Sequence, residues 1–402
     1  MGKKFDFQYL ILGGGAAGSA VATVLAKAKK KVAVIDEKIT EKAAQKLADG
    51  GVAVIFGHGI FKDSHTIGVL DQDFTAETII VATGRRLDAS KIDGAKETKF
   101  LTAENAMRIR KMPRTALVIG GGADGCRVAE RLAKNEVKTV LAEKTSRLMP
   151  KEDAEVGKVF GDYFKKDLKM MLLTGTEVSR VENDKNGNFE VIFAINGQDR
   201  KVKVNAVVVA TEKKPATAAD FAKAGIKYGA NGIKVDKMMR TNVKNIYAVG
   251  GVTGGETSRE RANYAGTILG QNLATRGKNL FNYHGFVKVT KTFPEVATIG
   301  VLENELKLKK IKYKKAVALI KDTEASEKTG FNRGFVKILA DRQGRILGAT
   351  IVAPGAEAMI QELVLAMRHQ MSIVQVAGTP HPLGEFGVAV KMAARKLALK
   401  LK

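Results

Sequence analysis

The residues best suited to chemistry in this sequence are glycines near its start. The run Gly13–Gly18 has the spacing G-x-G-x-x-G and lies between an apolar segment and a segment of small residues. Gly13 allows a tight turn, Gly15 lets the backbone approach a pyrophosphate, and Gly18 lets a helix pack on a strand. Asp36, 23 residues after Gly13, is placed where a carboxylate can bind ribose hydroxyls. The pattern predicts a dinucleotide site with phosphates at a helix N-terminus.

The same arrangement occurs a second time. Gly120, Gly122 and Gly125 form another G-x-G-x-x-G, and Glu143 again lies 23 residues after the first glycine. Because each unit corroborates the other, the chain is expected to hold two dinucleotide-binding folds.

Glu143 also bears on the choice of nicotinamide nucleotide. A carboxylate there would bind the ribose 2′-OH of NAD and repel the 2′-phosphate of NADP. Lys144 and Arg147 lie close by in the sequence and weaken that preference. NAD(H) is therefore the favoured nucleotide, and NADP(H) is less expected.

Alternating strands and helices must position these turns. Apolar runs of about five residues are typical of buried parallel strands, and the runs between them favour helices. The predicted strands include 9–12, 31–35, 52–56, 78–82, 115–119, 137–142 and 207–211. From about residue 280 the alternation stops, and no further phosphate-binding turn follows. The pattern predicts an α/β protein with two Rossmann-like domains and a separate C-terminal α+β domain.

Composition limits the class of protein. The chain has 402 residues, of which 45% are apolar and 27% charged, as in globular proteins of two or three domains. The N-terminus lacks the apolar core of a secretory signal, and no run approaches the roughly 20 apolar residues of a membrane span. These features favour a cytoplasmic protein.

The net charge of +25 suggests an anionic partner, either nucleic acid or an anionic membrane surface. Lysines cluster at 27–31, 307–315 and 391–402. Because these clusters are spread along the chain, a solvated surface without a specific partner is favoured over both alternatives. The segment 385–402 has an apolar face opposite its lysines, which favours a dimer-interface helix over membrane docking.

The ordered motifs resemble those of the flavoprotein disulfide reductases, such as dihydrolipoamide dehydrogenase, glutathione reductase and mercuric reductase. The similarity runs from Phe7 to about Lys396, over the motifs GGGAAG, VIDEK, IIVATG, VIGGGADG, LAEK, VVVAT, IYAVGGVTGG, FPEVATIG, GFVKILA, ILGATIV and HPLGEF. The resemblance implies an FAD domain over 1–112 and 242–275, an NAD(P) domain over 113–241, and a dimerisation domain over 280–402.

The resemblance also implies roles for individual residues. The FAD site would include Gly13, Gly15, Gly18, Asp36, Gly84 and Gly251, and the NAD site Gly120, Gly122, Gly125 and Glu143. In the family a His-Pro motif supplies an acid–base group to the partner subunit's active site. Its counterpart is His381-Pro382, with Glu385 to orient the imidazole.

One departure from the family pattern governs the expected mechanism. In the family, flavin passes electrons to a Cys-x4-Cys disulfide on a helix that would follow Lys38, and that segment is missing here. Cys126 is the only cysteine, so it has no second thiol with which to form a disulfide.

Three further substitutions affect the expected flavin and nucleotide sites. Gly251 stands where the family has an aspartate that binds the ribityl chain. Arg127 stands where it has a glutamate that pairs with a lysine of the missing segment, and Glu212 replaces a glycine. Arg127 is interpreted either as a group near the flavin ring or as a surface arginine.

Two functions from different classes follow. The first is an FAD-dependent enzyme that passes electrons from NADH directly to a diffusible acceptor such as a quinone, a dye-like compound or oxygen. The second is a non-catalytic nucleotide-binding or interaction protein that retained the fold. Disulfide or lipoamide reduction is not expected, because the cysteines are missing. For His381, a structural loop residue is favoured over a residual acid–base group.

Overall fold

The structure is a computed structural model that describes residues 4–89, 92–94, 99–184, 187–195, 198–217, 219–255, 258–281 and 285–401. Its contacts divide the chain into two compact units. The first comprises residues 1–87 and 213–282, and the second comprises residues 88–212 and 283–402. Each unit contains one of the glycine-rich turns. The limits that the family resemblance implies at residues 112 and 242 stay predictions.

The strands are β1 (Phe7–Leu12), β2 (Val32–Asp36), β3 (Ala53–Phe56), β4 (Gly59–Phe61), β5 (Thr66–Val69), β6 (Gln72–Val81), β7 (Arg85–Leu87), β8 (Leu101–Thr102), β9 (Thr115–Ile119), β10 (Lys138–Glu143), β11 (Met171–Thr174), β12 (Val178–Asn183), β13 (Phe189–Ile195), β14 (Gln198–Val204), β15 (Ala206–Val209), β16 (Lys213–Pro215), β17 (Tyr228–Gly229), β18 (Gly232–Ile233), β19 (Ile246–Ala248), β20 (Val287–Thr290), β21 (Glu295–Gly300), β22 (Lys314–Leu319), β23 (Phe335–Ala340) and β24 (Ile346–Ala353).

The α-helices are α1 (Ala16–Lys27), α2 (Glu41–Asp49), α3 (Ala103–Ala106), α4 (Ala123–Lys134), α5 (Ala154–Lys166), α6 (Arg259–Thr275), α7 (Glu303–Leu308), α8 (Glu324–Thr329), α9 (Ala356–Met359), α10 (Gln361–Arg368), α11 (Ile373–Gly378) and α12 (Val388–Ala398). Short 3-10 helices cover Phe221–Ala224, Gly250–Thr253 and Ile320–Asp322.

The first unit is built on a sheet with the order β3-β2-β1-β6-β5-β4, in which β19 also pairs with β6. Strands β1, β2, β3, β6 and β19 are parallel, whereas β4 and β5 extend the sheet antiparallel. Because the chain continues to β2 on one side of β1 and returns as β6 on the other, a switch point forms at the carboxyl end of β1. The first glycine-rich turn lies there.

The second unit contains a parallel sheet with the order β11-β10-β9-β15-β8. Strands β12, β13 and β14 form a separate antiparallel sheet. The C-terminal region is an antiparallel sheet with the order β20-β21-β24-β23-β22, and its core also includes residues of α9 to α12. The predicted fold class, two Rossmann-like folds followed by an α+β region, is confirmed.

No helix among the described residues is both long and apolar enough to cross a membrane.

A buried ion cluster lies within the second unit. Lys337 of β23 is 1% exposed, and its Nζ lies 2.8 Å from Asp153, 3.0 Å from Glu155 and 3.2 Å from Glu303. Asp153 precedes α5 and also accepts a hydrogen bond from Thr350 Oγ1 at 3.0 Å. The Lys337 cluster therefore joins the start of α5 to α7 and to the C-terminal sheet.

Glu303 is the carboxylate of this cluster that binds the most cations. Burial by itself would raise its pKa, but hydrogen bonds from Lys315, Tyr313, Lys307 and Lys337 outweigh burial and lower the pKa to about 2. Because the folded protein holds Glu303 ionised below its ordinary pKa of 4.5, this group stabilises the fold above pH 4.5. The stabilisation, about 3 kcal/mol, is lost as the pH falls toward 2.

We expect Lys337→Met to lower the free energy of unfolding by about 3–5 kcal/mol, because it leaves the buried carboxylate of Asp153 without its cation. Chemical denaturation at neutral pH measures this loss. Lys307→Met is the matched control, since Lys307 also pairs with Glu303 at 3.2 Å but is solvent-exposed. Its cost is expected to stay below about 1 kcal/mol. Equal losses in the two variants would contradict the stabilising role of the buried cluster.

Candidate functional site

The first glycine-rich turn joins β1 to α1. Gly13 has a φ of 111°, donates to the Ile35 carbonyl at 2.8 Å, and lies so close to the Ala82 carbonyl that a side chain would collide with it. Gly15 is the N-cap of α1, has no capping side chain, and faces open space. The N–H groups at the start of α1 are therefore available to a phosphate.

Asp36 ends β2 beside this turn. Its Oδ2 accepts from the Gly14 N–H at 2.6 Å, and its Oδ1 accepts from the Lys38 N–H at 2.6 Å. The side chain is half-buried, so it retains access for a ligand. This geometry fits the adenosine half of a dinucleotide, with the phosphates at Gly15 and the ribose at Asp36.

The second turn repeats this geometry between β9 and α4. Gly120 has a φ of 106° and lies against the Ala210 carbonyl, where a Cβ would come within 2.7 Å of the oxygen. Gly122 is the N-cap of α4, faces open space, and has no capping side chain. Gly125 lies against the Gly120 carbonyl, so the helix can begin close to the strand.

Glu143 ends β10 as Asp36 ends β2. Its Oε2 accepts from the Gly121 N–H at 2.6 Å, and its Oε1 accepts from the Thr145 N–H and Oγ1, each at 2.8 Å. It is 5% exposed. Glu143 therefore stabilises the turn of the free protein, and its position beside that turn remains compatible with the predicted ribose contact.

The guanidinium of Arg147 is hydrogen-bonded to the backbone and is not available beside Glu143. Its position in the sequence had suggested that Arg147 weakens the preference for NAD. Its guanidinium donates to the carbonyls of Met149, Pro150 and Glu152 at 2.8–2.9 Å. Lys144 is exposed. Because the Arg147 N–H groups are engaged by the backbone, Lys144 remains as the cation available to a 2′-phosphate.

A third segment borders the first turn, and it contains a residue that sequence reasoning missed. Gly84 follows the parallel strand β6 and faces open space. Gly251 lies against Arg85, and a Cβ at 251 would come within 2.6 Å of the Arg85 Cγ. In the same 3-10 helix, a Cβ at Gly250 would come within 3.0 Å of the Ala17 Cβ of α1. The side chain of Arg85 thus occupies the space beside Gly251, close to the start of α1.

Arg85 is incompletely paired in this position. Its Nε is buried without a hydrogen-bond partner among the described residues, and its Nη1 lies 3.5 Å from the Gly255 carbonyl. The neighbouring Arg86 instead pairs with Glu37 at 3.1 Å. The sequence could have pointed to Arg85. An arginine directly follows Ala82-Thr83-Gly84, and glycine stands at position 251, where the family pattern has an aspartate.

Cys126 is buried in α4 and fully shielded from solvent. Its Sγ donates to the Gly121 carbonyl at 3.2 Å. Burial, reinforced by the negative charge of Glu143, raises the pKa of the thiol far above its ordinary range. Since the thiolate is the reactive form, Cys126 is chemically inert.

Two other substituted positions have local partners. Arg127 Nη2 lies 3.9 Å from Asp124, and its Nε is buried without a partner in the described part of the chain. Glu212 pairs with Lys151 at 2.6 Å on the surface.

His381 has a different carboxylate partner from the one implied by the family motif. Its Nε2 lies 2.7 Å from Glu362 Oε2, and Glu362 belongs to α10. Glu385 is exposed just before α12. His381 pairs with Glu362 because α10 lies beside the loop that contains His381. The short segment 382–385 instead leaves Glu385 facing solvent.

The contacts of His381 indicate how many protons it shares with Glu362. Nδ1 lies 3.0 Å from the Thr379 carbonyl, which can only accept, so Nδ1 carries a proton. The contact between Nε2 and Glu362 then requires one more proton, on either the ring or the carboxyl group. Burial raises the pKa of Glu362, while the charge of His381 and its hydrogen bond oppose that shift.

Comparison with known families gives two matches. The family described as pyridine nucleotide-disulphide oxidoreductase matches residues 37–267, more than half of the chain. The dimerisation domain of the same family matches residues 287–394. The second match supports the predicted homodimer.

Curated proteins and solved structures agree with these matches. The chain is 27% identical over 373 residues to a mercuric reductase of Streptomyces lividans, covering 91% of this chain and 78% of that protein. It is 26% identical over 393 residues to a dihydrolipoyl dehydrogenase of Bacillus subtilis, covering 96% and 83%. The Cu(II) complex of the flavoprotein disulfide reductase RclA from Escherichia coli has the same fold, with a TM-score of 0.85, 20% identity, and coverage of 99% and 100%.

We expect Arg85→Ala to weaken FAD binding by about tenfold or more, because a partly desolvated arginine–phosphate hydrogen bond contributes about 1.5–3 kcal/mol. Quenching of flavin fluorescence during titration of the protein measures the affinity. Arg86→Ala makes the same charge change on the adjacent residue, whose guanidinium pairs with Glu37, and should leave the affinity within about twofold. Equal effects of the two substitutions would argue against a specific role for Arg85.

Proposed function

The chain belongs to the pyridine nucleotide-disulphide oxidoreductase family, and we propose that it is an FAD-dependent NAD(P)H oxidoreductase that reduces a diffusible acceptor without a redox disulfide. Members of this family are FAD-binding flavoproteins that use NAD(P)H. FAD, when bound, supplies the hydride and electron chemistry, so that no protein thiol is needed. A quinone or dye-like compound is the class of acceptor that fits this chemistry.

The proposal rests on the burial and the protonation of Cys126, the only cysteine in the sequence. A disulfide relay needs two exchangeable thiols, and at least one must be a reactive thiolate. Cys126 has no second cysteine in the chain, is buried, and has a raised pKa. Electrons that reach the flavin therefore leave it directly for the acceptor.

The first unit supplies groups that suit the adenosine diphosphate portion of FAD. The N-terminus of α1 and the open face at Gly15 suit the diphosphate, and Asp36 suits the ribose. Gly84 and Gly251 border the same space, with Arg85 as an added cation. These residues bind and orient the cofactor.

The second unit supplies the corresponding groups for the nicotinamide nucleotide. Gly120, Gly122 and Gly125 form the turn at α4, and Glu143 lies beside it. In our proposal Glu143 disfavours the 2′-phosphate of NADP, and the engagement of Arg147 by backbone carbonyls supports NADH as the preferred donor.

His381 lies in the loop between α11 and α12 of the C-terminal domain. It is paired with Glu362, and the two groups share one proton between Nε2 and the carboxyl group. The pairing with Glu362 agrees with the structural role that the sequence favours for His381. In the alternative role of a residual acid–base group, Glu362 takes the orienting role that the family motif assigns to Glu385.

We expect an anaerobic titration with NADH to bleach the flavin completely at one equivalent of NADH per flavin, because FAD takes up two electrons and no disulfide takes up more. Visible absorbance measures the end point.

Iodoacetamide should leave quinone reduction unchanged, since Cys126 is buried and protonated. Cys126→Ser, which retains a small donor toward the Gly121 carbonyl, is the matched variant.

Other results of that experiment decide against the proposal. An end point at two equivalents, or loss of turnover on alkylation, would indicate a thiol-dependent mechanism. A colourless protein that cannot be reconstituted with FAD would support the non-catalytic nucleotide-binding alternative instead.

We expect Glu143→Gln to narrow the ratio of kcat/KM for NADH over NADPH by at least about tenfold, because it removes the charge that repels a 2′-phosphate. Steady-state rates with a quinone measure the ratio. Glu177→Ala removes an exposed carboxylate of the same unit and should leave the ratio unchanged. An unchanged ratio in Glu143→Gln would contradict the assigned role.

A further inference from the structure

Cations that are dispersed in the sequence converge at one end of the C-terminal domain. An open pocket of about 370 Å³ is lined by residues of the segment 311–314 together with Arg342 of the turn between β23 and β24. Lys400, just after α12, donates from Nζ to the Lys315 carbonyl at 2.9 Å. We call the exposed cations Lys309, Lys310, Lys312, Lys314, Arg342 and Lys400 the basic end.

Most of these charges are not neutralised by neighbouring acids. Within the described part of the chain, the cations of the basic end form no ion pair. The nearby acids are engaged elsewhere, since Glu303 is buried in the Lys337 cluster and Asp341 pairs with Arg345 at 2.6 Å. Glu305 is the remaining acid of the segment 303–315. The basic end therefore presents a net positive surface to solvent.

An apolar groove adjoins the basic end. It has a volume of about 470 Å³ and lies between α11 and the end of α12, lined by Val374, Ala377, Arg395, Ala398, Leu399 and Leu401. Leu399 is 70% exposed and Val374 is 56% exposed. Leu401 also lies against Gly344 in the turn that carries Arg342, so the groove and the basic end are neighbours.

Further apolar side chains are interleaved with the lysines. Leu308 is 84% exposed and Ile311 is 45% exposed. The one aromatic residue of this segment, Tyr313, is half-buried, and its hydroxyl donates to Glu303 at 2.9 Å. A single-stranded nucleic acid needs free aromatic faces for stacking, and a duplex gains little from exposed leucines.

We propose that the basic end and the apolar groove form a docking surface for an anionic phospholipid bilayer. The lysines attract the phosphate headgroups, and Leu308, Ile311 and Leu399 enter the interface between headgroups and acyl chains. The groove between α11 and α12 has the apolar lining that an acyl chain requires. The surface belongs to the C-terminal domain and requires no bound flavin, so its binding is independent of the oxidoreductase activity.

The test is co-sedimentation of the full-length protein with vesicles. Vesicles of equal parts phosphatidylcholine and phosphatidylglycerol should bind the protein, and phosphatidylcholine vesicles should not. The combined change Lys309→Glu, Lys310→Glu and Lys312→Glu should lower the partition coefficient at least about a hundredfold, since each lysine contributes about 1 kcal/mol at an anionic surface. Leu399→Gln should also lower binding, because it removes an apolar side chain from the surface without changing its net charge.

The matched control makes the same charge change away from this surface. Lys234→Glu, Lys237→Glu and Lys244→Glu alter exposed lysines of the first unit and should leave vesicle binding within a few-fold. An equal loss in the two triple variants would show that only the total charge matters and would overturn the proposal. Binding to a labelled oligonucleotide without binding to vesicles would overturn it in favour of nucleic acid. A change of oligomeric state in Leu399→Gln, with vesicle binding intact, would overturn the proposal and assign the groove to a second copy of the chain.

Discussion

Both glycine-rich turns depend on the same hydrogen bond. The N–H of the second glycine, Gly14 or Gly121, donates at 2.6 Å to the carboxylate that ends the neighbouring strand, Asp36 or Glu143. A backbone N–H in a tight turn must find an acceptor, and a carboxylate supplies a strong one. The bond holds each turn against its sheet and leaves the first turn of the following helix open. It explains structurally why the same spacing from glycine to acid occurs twice.

Beside the first turn, Gly251 and Arg85 fit together. A side chain at position 251 would collide with Arg85, so glycine at 251 and arginine at 85 are compatible whereas a larger residue at 251 is not. Arg85 therefore places a positive charge beside Gly251, close to the start of α1. In the proposed function, Cys126 is buried and protonated, and the redox chemistry rests on the bound cofactor.

Much of the fold was predictable from local pattern. The strand at 115–119 was predicted with its observed limits, and the strand at 31–35 is displaced by one residue. Buried parallel strands are continuous apolar runs, so they stand out in a sequence. Strand β6 was predicted short, because its first half, from Gln72, belongs to an antiparallel excursion with polar residues on an exposed face.

The sequence by itself determined the two turns, their paired acids, the parallel strands and the lack of a second thiol, because each depends on residue type and short-range spacing. Only the tertiary structure decided that Glu362 pairs with His381, that Arg147 is engaged by backbone carbonyls, and that Arg85 lies across Gly251. It also brought cations from three separate segments, 309–314, Arg342 and Lys400, to one surface. These contacts join residues on different elements, and their formation depends on how those elements pack, which spacing along the chain does not encode.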